Sequence, residues 1–227
     1  PDENYNGTDS FTYFVSDGEL ESETVTVTLI INAVNDPPVI NPLDDKEMNE
    51  DETLQVLLDV EDIDSNEFII TAFSDTNAVA IAVEVESELL IITPQPDWYG
   101  ETYITVTVDD EASRLTDSEA FHLTVHPMSD PPVANNDVWE AAEDSTVQID
   151  VLDNDDDVDG DSLKIVNVGQ SSHGIVSIEV DSLSLIFTPE DDFYGTDVFI
   201  YTISDPSGFT DNAIVTLSIT SVNDPPV

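Results

Sequence analysis

The 227-residue sequence predicts an all-β chain of tandem antiparallel Greek-key β-sandwiches. Three observations carry that expectation. A marker pentapeptide recurs with one period, the stretches between recurrences alternate apolar and polar residues with period two, and no stretch sustains helical spacing. Prolines fall at the ends of the alternating runs and in turns, where a missing backbone donor does no harm to a sheet.

The period is explicit. Asn35-Asp36-Pro37-Pro38-Val39 returns as Ser129-Asp130-Pro131-Pro132-Val133 and as Asn223-Asp224-Pro225-Pro226-Val227, 94 residues apart each time. A second marker agrees: Pro94-Gln95-Pro96-Asp97-Trp98-Tyr99-Gly100 aligns with Pro189-Glu190-Asp191-Asp192-Phe193-Tyr194-Gly195, and with Pro1-Asp2-Glu3-Asn4-Tyr5-Asn6-Gly7. The chain therefore divides into the C-terminal part of a repeat with its linker (1–38), repeat A (39–132) and repeat B (133–227), each whole repeat near the size of a small sandwich. The Pro-Pro pairs fix φ and hold the preceding Asp extended, so they read as short, stiff linkers.

Segment 1–38 holds two strand-like runs. Phe11, Tyr13 and Val15 alternate with Ser10, Thr12 and Phe14, and Thr24-Val25-Thr26-Val27-Thr28-Leu29 alternates in the same way. Two strands cannot bury both faces of a core, so this segment is expected to be completed by another chain or by the rest of a longer fibre. Repeat B repeats the pattern in Phe199, Tyr201 and Ile203 and in Ile214-Val215-Thr216-Leu217-Ser218-Ile219.

Composition limits function. With 51 Asp and Glu against 3 Lys and Arg, the formal charge is −48. Lys46, Arg114 and Lys164 are scattered and cannot build a basic surface, which excludes nucleic acid and anionic lipid as partners. Such acidity usually means disorder, but 40% hydrophobic residues in alternating runs suffice for a core. Self-repulsion then calls for bound cations or for high salt, and acids clustered at repeated positions favour metal over an evenly acidic halophile surface. There is no cysteine, so no disulfide can staple the fold, and no apolar run reaches a membrane span of about 18 residues.

The acidic clusters recur in register. Glu50-Asp51 follows the linker of A as Glu143-Asp144 follows that of B; Asp62-Ile63-Asp64 matches Asp157-Val158-Asp159; Asp17, Asp110 and Asp205 each end the aromatic strand; Asp97 and Asp192 precede the aromatic-Tyr-Gly turn. Calcium takes six to eight oxygens at about 2.3–2.6 Å, more than any one cluster offers, whereas clusters from the facing ends of successive repeats would together supply enough.

The order of linker Asn-Asp-Pro-Pro, early Glu, Asp-x-Asp and late strand-ending Asp resembles the calcium motifs of cadherins, and essentially the whole chain resembles the bacterial cadherin-like repeats of long surface and secreted proteins. That resemblance implies a cadherin/immunoglobulin-like sandwich, Ca2+ as the bound ion, an extracellular or bacterial cell-surface location, and adhesion or extension as the task. It implies a junction into A formed by Asn35, Asp36, Asp62, Asp64 and Asp110 with Asp2 or Glu3, and a junction from A to B formed by Glu50, Asp97, Asp130, Asp157, Asp159 and Asp205. Glu143, Asp192, Asn223 and Asp224 would form the half-site at the far end. Six carboxylates meeting at one junction repel one another when empty, so a hinge without calcium and a rod with it is the expected behaviour. Ser129 departs from the linker Asn and the Asp-Arg-Glu triplet of animal cadherins is missing, so fewer ions per junction are expected. The expected partners are neighbouring repeats of the same or an adjacent chain and a cell-surface glycan or protein.

Other readings are weaker. Asp155-x-Asp157-x-Asp159-Gly160 matches the first half of an EF-hand loop, but Val166 stands at the twelfth position, which needs a bidentate Glu; a solvated acidic turn stays open as the alternative reading of Asp155, Asp156 and Asp161, while the Asp157/Asp159 pair has a partner in A. Trp98, Tyr99, Phe193 and Tyr194 could stack on sugars, which would suit a carbohydrate-binding module of a secreted polysaccharide-degrading protein; their position before a Gly turn favours core packing, and Trp139 is the better stacking candidate. His122 and His126, four apart on one strand face, could bind zinc, although exposed strand histidines are far commoner. Asn6-Gly7-Thr8 reads as a turn. With no phosphate loop, nucleophile elbow or cysteine, no catalytic activity is expected.

Overall fold

The computed structural model describes residues 1–111 and 114–224, so the Pro225-Pro226-Val227 end of the third linker lies outside the described residues. The chain forms two compact units, Pro1–Pro127 and Met128–Val227. Among the described residues the regular structure is strand apart from two short 3-10 turns, Val85–Ser87 and Val151–Asn154.

The first unit opens with β1 (Gly7–Tyr13) and β2 (Val25–Ile31), an antiparallel pair that joins no other strand among the described residues. It continues with β3 (Val39–Ile40), β4 (Lys46–Asn49), β5 (Leu54–Leu57), β6 (Val60–Glu61), β7 (Phe68–Ser74), β8 (Val79–Glu84), β9 (Leu89–Pro94), β10 (Gly100–Asp110) and β11 (Thr116–His126). Two sheets, ordered β4-β11-β10-β7 and β5-β9-β8, enclose one core. Along β10 the period-two pattern does the sorting: Ile104, Val106 and Val108 are fully buried, while Tyr103, Thr105 and Thr107 face outward.

The second unit repeats this plan. It contains β12 (Asp137–Ala142), β13 (Val147–Ile149), β14 (Lys164–Val168), β15 (Gly174–Ile178), β16 (Leu185–Pro189), β17 (Gly195–Ser204) and β18 (Thr210–Thr220), in sheets ordered β12-β18-β17-β14 and β13-β16-β15. Phe199, Tyr201 and Ile203 of β17 pack with Val215 and Leu217 of β18 and with Leu185 and Phe187 of β16. The predicted all-β sandwich stands. Alternation did not reveal one strand direction: β4 runs parallel to β11 and β12 parallel to β18, because an early strand of each repeat joins the sheet of the last.

The marker before each Gly is a core anchor. Trp98 packs on the core of the first unit and Phe193 on that of the second. Gly100 and Gly195 follow with φ of +147° and +143°, and a Cβ on either would press within 3.3 Å or 3.4 Å of the preceding ring. Segment 1–38 differs in burial. Phe11 and Tyr13 of β1 are 53% and 47% exposed, whereas their counterparts Phe199 and Tyr201 are buried.

Candidate metal centres

The recurrent carboxylates gather at the two ends of each repeat, because the strands that carry them start or stop there. At the leading end of repeat A, the Asn35 amide donates to the Asp110 carboxylate and to the Asp36 carbonyl (2.8 Å). The Asp36 N–H donates to Asp64 Oδ2 (2.8 Å), and the N–H groups of Asp64 and Ser65 both donate to Asp62 Oδ1 (2.7 and 3.0 Å). Asp62 Oδ2 is enclosed without a hydrogen-bond partner, and Asp110 is fully buried. A cleft of about 310 Å³ beside them is lined by Asp2, Asp36 and Asp64, and Glu3 lines a neighbouring cleft with Asp36 and Asp62. The residues predicted for this end are thus linked by these bonds and clefts, although no three of their carboxylates form a group with oxygens within 4.8 Å among the described residues.

At the leading end of repeat B the same backbone bonds recur. The Asp130 N–H donates to Asp159 Oδ2 (2.8 Å) and the Asp159 N–H to Asp157 Oδ1 (3.0 Å). The side chains differ. Ser129, shorter than Asn35, does not engage Asp205, the counterpart of Asp110; its hydroxyl lies 2.6 Å from that of Ser207. Asp205 uses Oδ1 to accept from the N–H groups of Gly208 (2.6 Å) and Phe209 (2.8 Å). Its Oδ2 is enclosed and has no partner, and the same is true of Asp157 Oδ2. These residues are only 7% and 5% exposed. Exposed Asp17 makes the related turn at the end of β1, accepting from Glu19 and Leu20, whose N–H groups hold its carboxyl below the usual range.

Buried carboxylate oxygens without donors carry a large desolvation cost unless something positive or protonated meets them. Asp157, Asp159 and Asp161 each place an oxygen within 4.8 Å of the others. At that separation like charges repel one another, so each carboxylate raises the cost of ionising the next. Among the described residues no Lys or Arg pairs with them; the ion pair of Arg114 is with Asp109. Asp161, for which the sequence leaves a solvated turn open, belongs to this cluster: partial burial and the charges of Asp157, Asp159 and Asp205 raise its carboxyl above the ordinary range.

The trailing ends are built alike in both repeats. Glu50 is 2% exposed and its N–H donates to the His126 carbonyl (3.0 Å); Glu143, 3% exposed, donates likewise to Thr220 (3.0 Å). Beside each lies an Asp pair in left-handed backbone, Asp51 and Asp97 in A and Asp144 and Asp192 in B, with φ between 57° and 59°. The Asp97 N–H donates to Asp51 Oδ1 (3.1 Å), and the Asp192 N–H to Asp144 Oδ1 (3.2 Å). In repeat B, Asp144, Asp192 and Asp224 bring oxygens within 4.8 Å of one another, Glu143 Oε1 accepts from the Val222 N–H (2.6 Å), and the Asn223 amide caps the Asp224 carbonyl (3.2 Å). Asp51 and Asp144 were absent from the predicted ligands, although each stands directly after the predicted Glu.

A separate acidic knot lies inside repeat B. The buried Tyr201 hydroxyl has one proton and is surrounded by acceptors: both Asp155 oxygens (3.1 and 3.0 Å), Asn135 O (3.0 Å) and Val151 O (3.3 Å). The solvated-turn alternative does not describe Asp155, which is partly buried against this hydroxyl. Asp137 Oδ2 is enclosed without a partner. Burial pushes the Asp137 carboxyl up to about 6, helped by the charges of Asp155 and Asp153 and opposed by the Tyr201 hydroxyl. Burial likewise raises Asp155 and Tyr201.

The stacking and zinc candidates go elsewhere. Trp139, like Trp98 and Phe193, packs partly buried against a core, leaving Tyr99 and Tyr194, with Tyr5 of the first marker, as the exposed rings of the markers. His122 and His126 point to different acids, Glu101 (3.6 Å) and Glu47 (3.4 Å).

The family described as bacterial Ig domain matches residues 1–30, 35–123 and 129–218. The chain belongs to that family. Among solved structures, this bacterial Ig chain is similar to the human desmocollin-1 ectodomain (13% identity, 92% of this chain and 46% of that one, TM-score 0.53) and to repeats 22–24 of mouse cadherin-23 (15%, 95% and 74%, TM-score 0.52). An endo-fucoidan hydrolase of glycoside hydrolase family 107 aligns at 17% identity over 96% of this chain, with a TM-score of 0.36. The bacterial Ig chain spans 34–46% of the length of the first three solved structures it matches. At these identities the cadherin likeness is one of fold. No curated protein matches the chain. Among the described residues, no helix is long and apolar enough to cross a membrane.

Proposed function

We propose that the chain is a non-catalytic, calcium-dependent structural and adhesive module of a long extracellular protein or fibre on a bacterial cell surface. Calcium fills the carboxylate clusters at the repeat ends, neutralises part of a −48 charge and stiffens the linkers. Asp157 and Asp205 carry the reading: both are more than nine-tenths buried, and each keeps one enclosed oxygen to which no group donates. In a chain with three Lys and Arg, a divalent cation is the counter-charge that suits a donor set made of oxygen atoms. The cadherin-like fold and the family's Ig architecture support repeats stacked in series as the working form.

Calorimetric titration of the chain with calcium tests the proposal, with magnesium and molar sodium chloride as controls. Saturable calcium binding accompanied by a higher melting temperature is expected. Stabilisation by molar sodium chloride without a saturable calcium site would replace this reading with a halophile surface.

A further inference from the structure

Asp161 lies outside the ligand pattern that the two repeats share, because its counterpart in repeat A, two residues after the Asp-x-Asp motif, is Asn66. We propose that the leading end of repeat B is a cation site complete within one repeat, that Asp161 is one of its ligands, and that this site loads with calcium before the others in the chain. The inference rests on the calcium reading above.

Three carboxylates of one unit, Asp157, Asp159 and Asp161, bring oxygens within 4.8 Å of one another there, Asp205 lies near enough for its charge to act on Asp161, and the four divide the work between their oxygens. Asp157 Oδ1 holds the loop closed by accepting from the N–H groups of Asp159 (3.0 Å) and Asp161 (3.4 Å), which leaves Oδ2 enclosed and without a donor. Asp205 Oδ1 holds the β17–β18 turn through Gly208 and Phe209, and its Oδ2 is left in the same state. Asp159 accepts from the Asp130 N–H, which ties the linker to the cluster. Asp161 brings a further oxygen within 4.8 Å of those of Asp157 and Asp159. Gly160, with φ of +74° and open space where a Cβ would project, lets the chain turn back so that Asp161 reaches the same place as Asp159.

Repeat A offers less at the equivalent end. Asn66 brings no charge, the Asn35 amide already donates to Asp110, and Asp62, the counterpart of Asp157, is only partly buried. Calcium affinity rises with the number of charged ligands, and on that count repeat B leads.

The test uses the whole chain. Calcium is titrated against a chromophoric chelator, and amide resonances are followed at substoichiometric calcium. The resonances of Gly160, Asp161 and Gly208 should shift first. Asp161→Asn should weaken the tightest class of sites about tenfold, Asn66→Asp should tighten a second class by a similar factor, and Asp153→Asn, an exposed acid in the neighbouring turn, should change neither by more than twofold. Melting in chelator confirms that each variant is folded, and Asp161→Asn should melt no lower than wild type there because it relieves repulsion. If Asp161→Asn leaves the tight class intact, or weakens it no more than Asp153→Asn does, Asp161 is not a ligand even though calcium binds. Absence of calcium binding by the wild-type chain would overturn the proposed function along with this inference.

Discussion

The leading ends of repeats A and B share a backbone and differ in what their side chains leave unmet. In A the linker Asn35 donates to Asp110, so a hydrogen bond within the protein already meets the buried strand-ending carboxylate. In B the linker residue is Ser129, which turns to Ser207, and Asp205 keeps an enclosed oxygen with no donor. By sequence alone, the loss of Asn at position 129 counts against a metal, since an amide ligand is gone. Under the calcium proposal the geometry argues the other way. The same substitution frees a carboxylate, which is a stronger calcium ligand than the amide it loses.

On this contrast, calcium should matter more to repeat B than any single contact does. A ligand at a thousand times its Kd adds about 4 kcal/mol to the folded state, which in a domain of about 100 residues is worth roughly 15 °C or more in melting temperature. Calorimetric scans in chelator and in millimolar calcium should therefore show the transition of repeat B moving further than that of repeat A. Equal shifts would erase the distinction between the two ends.

Next in size is the exchange of the linker residue. Ser129→Asn should let an amide reach Asp205, stabilise repeat B in chelator by about 1 kcal/mol, and weaken its calcium site several-fold, making B resemble A. The reciprocal change, Asn35→Ser, should destabilise the first unit in chelator by a comparable amount and increase its response to calcium. Thermal melts with and without calcium read both effects.

The Tyr201 knot distinguishes the two repeats by pH. Asp137 has a folded pKa raised to about 6, so the stability it contributes is fully present below its unfolded value near 4 and is lost as pH rises through 6. In chelator, repeat B should accordingly lose stability between pH 4 and pH 7. Asp137→Asn should flatten that part of the profile and add about 1 kcal/mol at pH 7.5, less than the full linkage value because the carboxyl is partly solvated. A variant profile parallel to that of wild type would remove Asp137 from the account. Repeat A has Val106 at the position of Tyr201 and should lack this feature.

The smallest expected effect concerns the strand histidines. Since His122 and His126 pair with different glutamates at the surface, His126→Ala should change stability by less than about 0.5 kcal/mol, and zinc should bind wild type and variant equally weakly. A zinc isotherm that vanishes in the variant would restore the site.

The sequence displayed some of these features and concealed others for physical reasons. Strands are legible because each faces a core on one side, so Phe199, Tyr201 and Ile203 announce their burial by alternation alone. Strand direction is not written that way, since parallel and antiparallel neighbours can bury the same side chains, and the parallel pairing of β12 with β18 was therefore invisible. Asp157, Asp159 and Asp205 were legible because each has a counterpart one period away. Asp161 has none, and in so acidic a chain an unmatched Asp looks like surface charge. The fate of Ser129 depends on Ser207, and that of Asp155 on Tyr201, 46 residues later. Such pairings appear only once the sandwich closes.

The most direct test of the account is a crystal structure grown in millimolar calcium, read at the leading end of repeat B. The account predicts an ion held by Asp157, Asp159, Asp161 and Asp205 at about 2.3–2.6 Å, with the enclosed Oδ2 atoms of Asp157 and Asp205 among its ligands. Water alone at those oxygens in saturating calcium, or protonated carboxyls paired with each other, would contradict it.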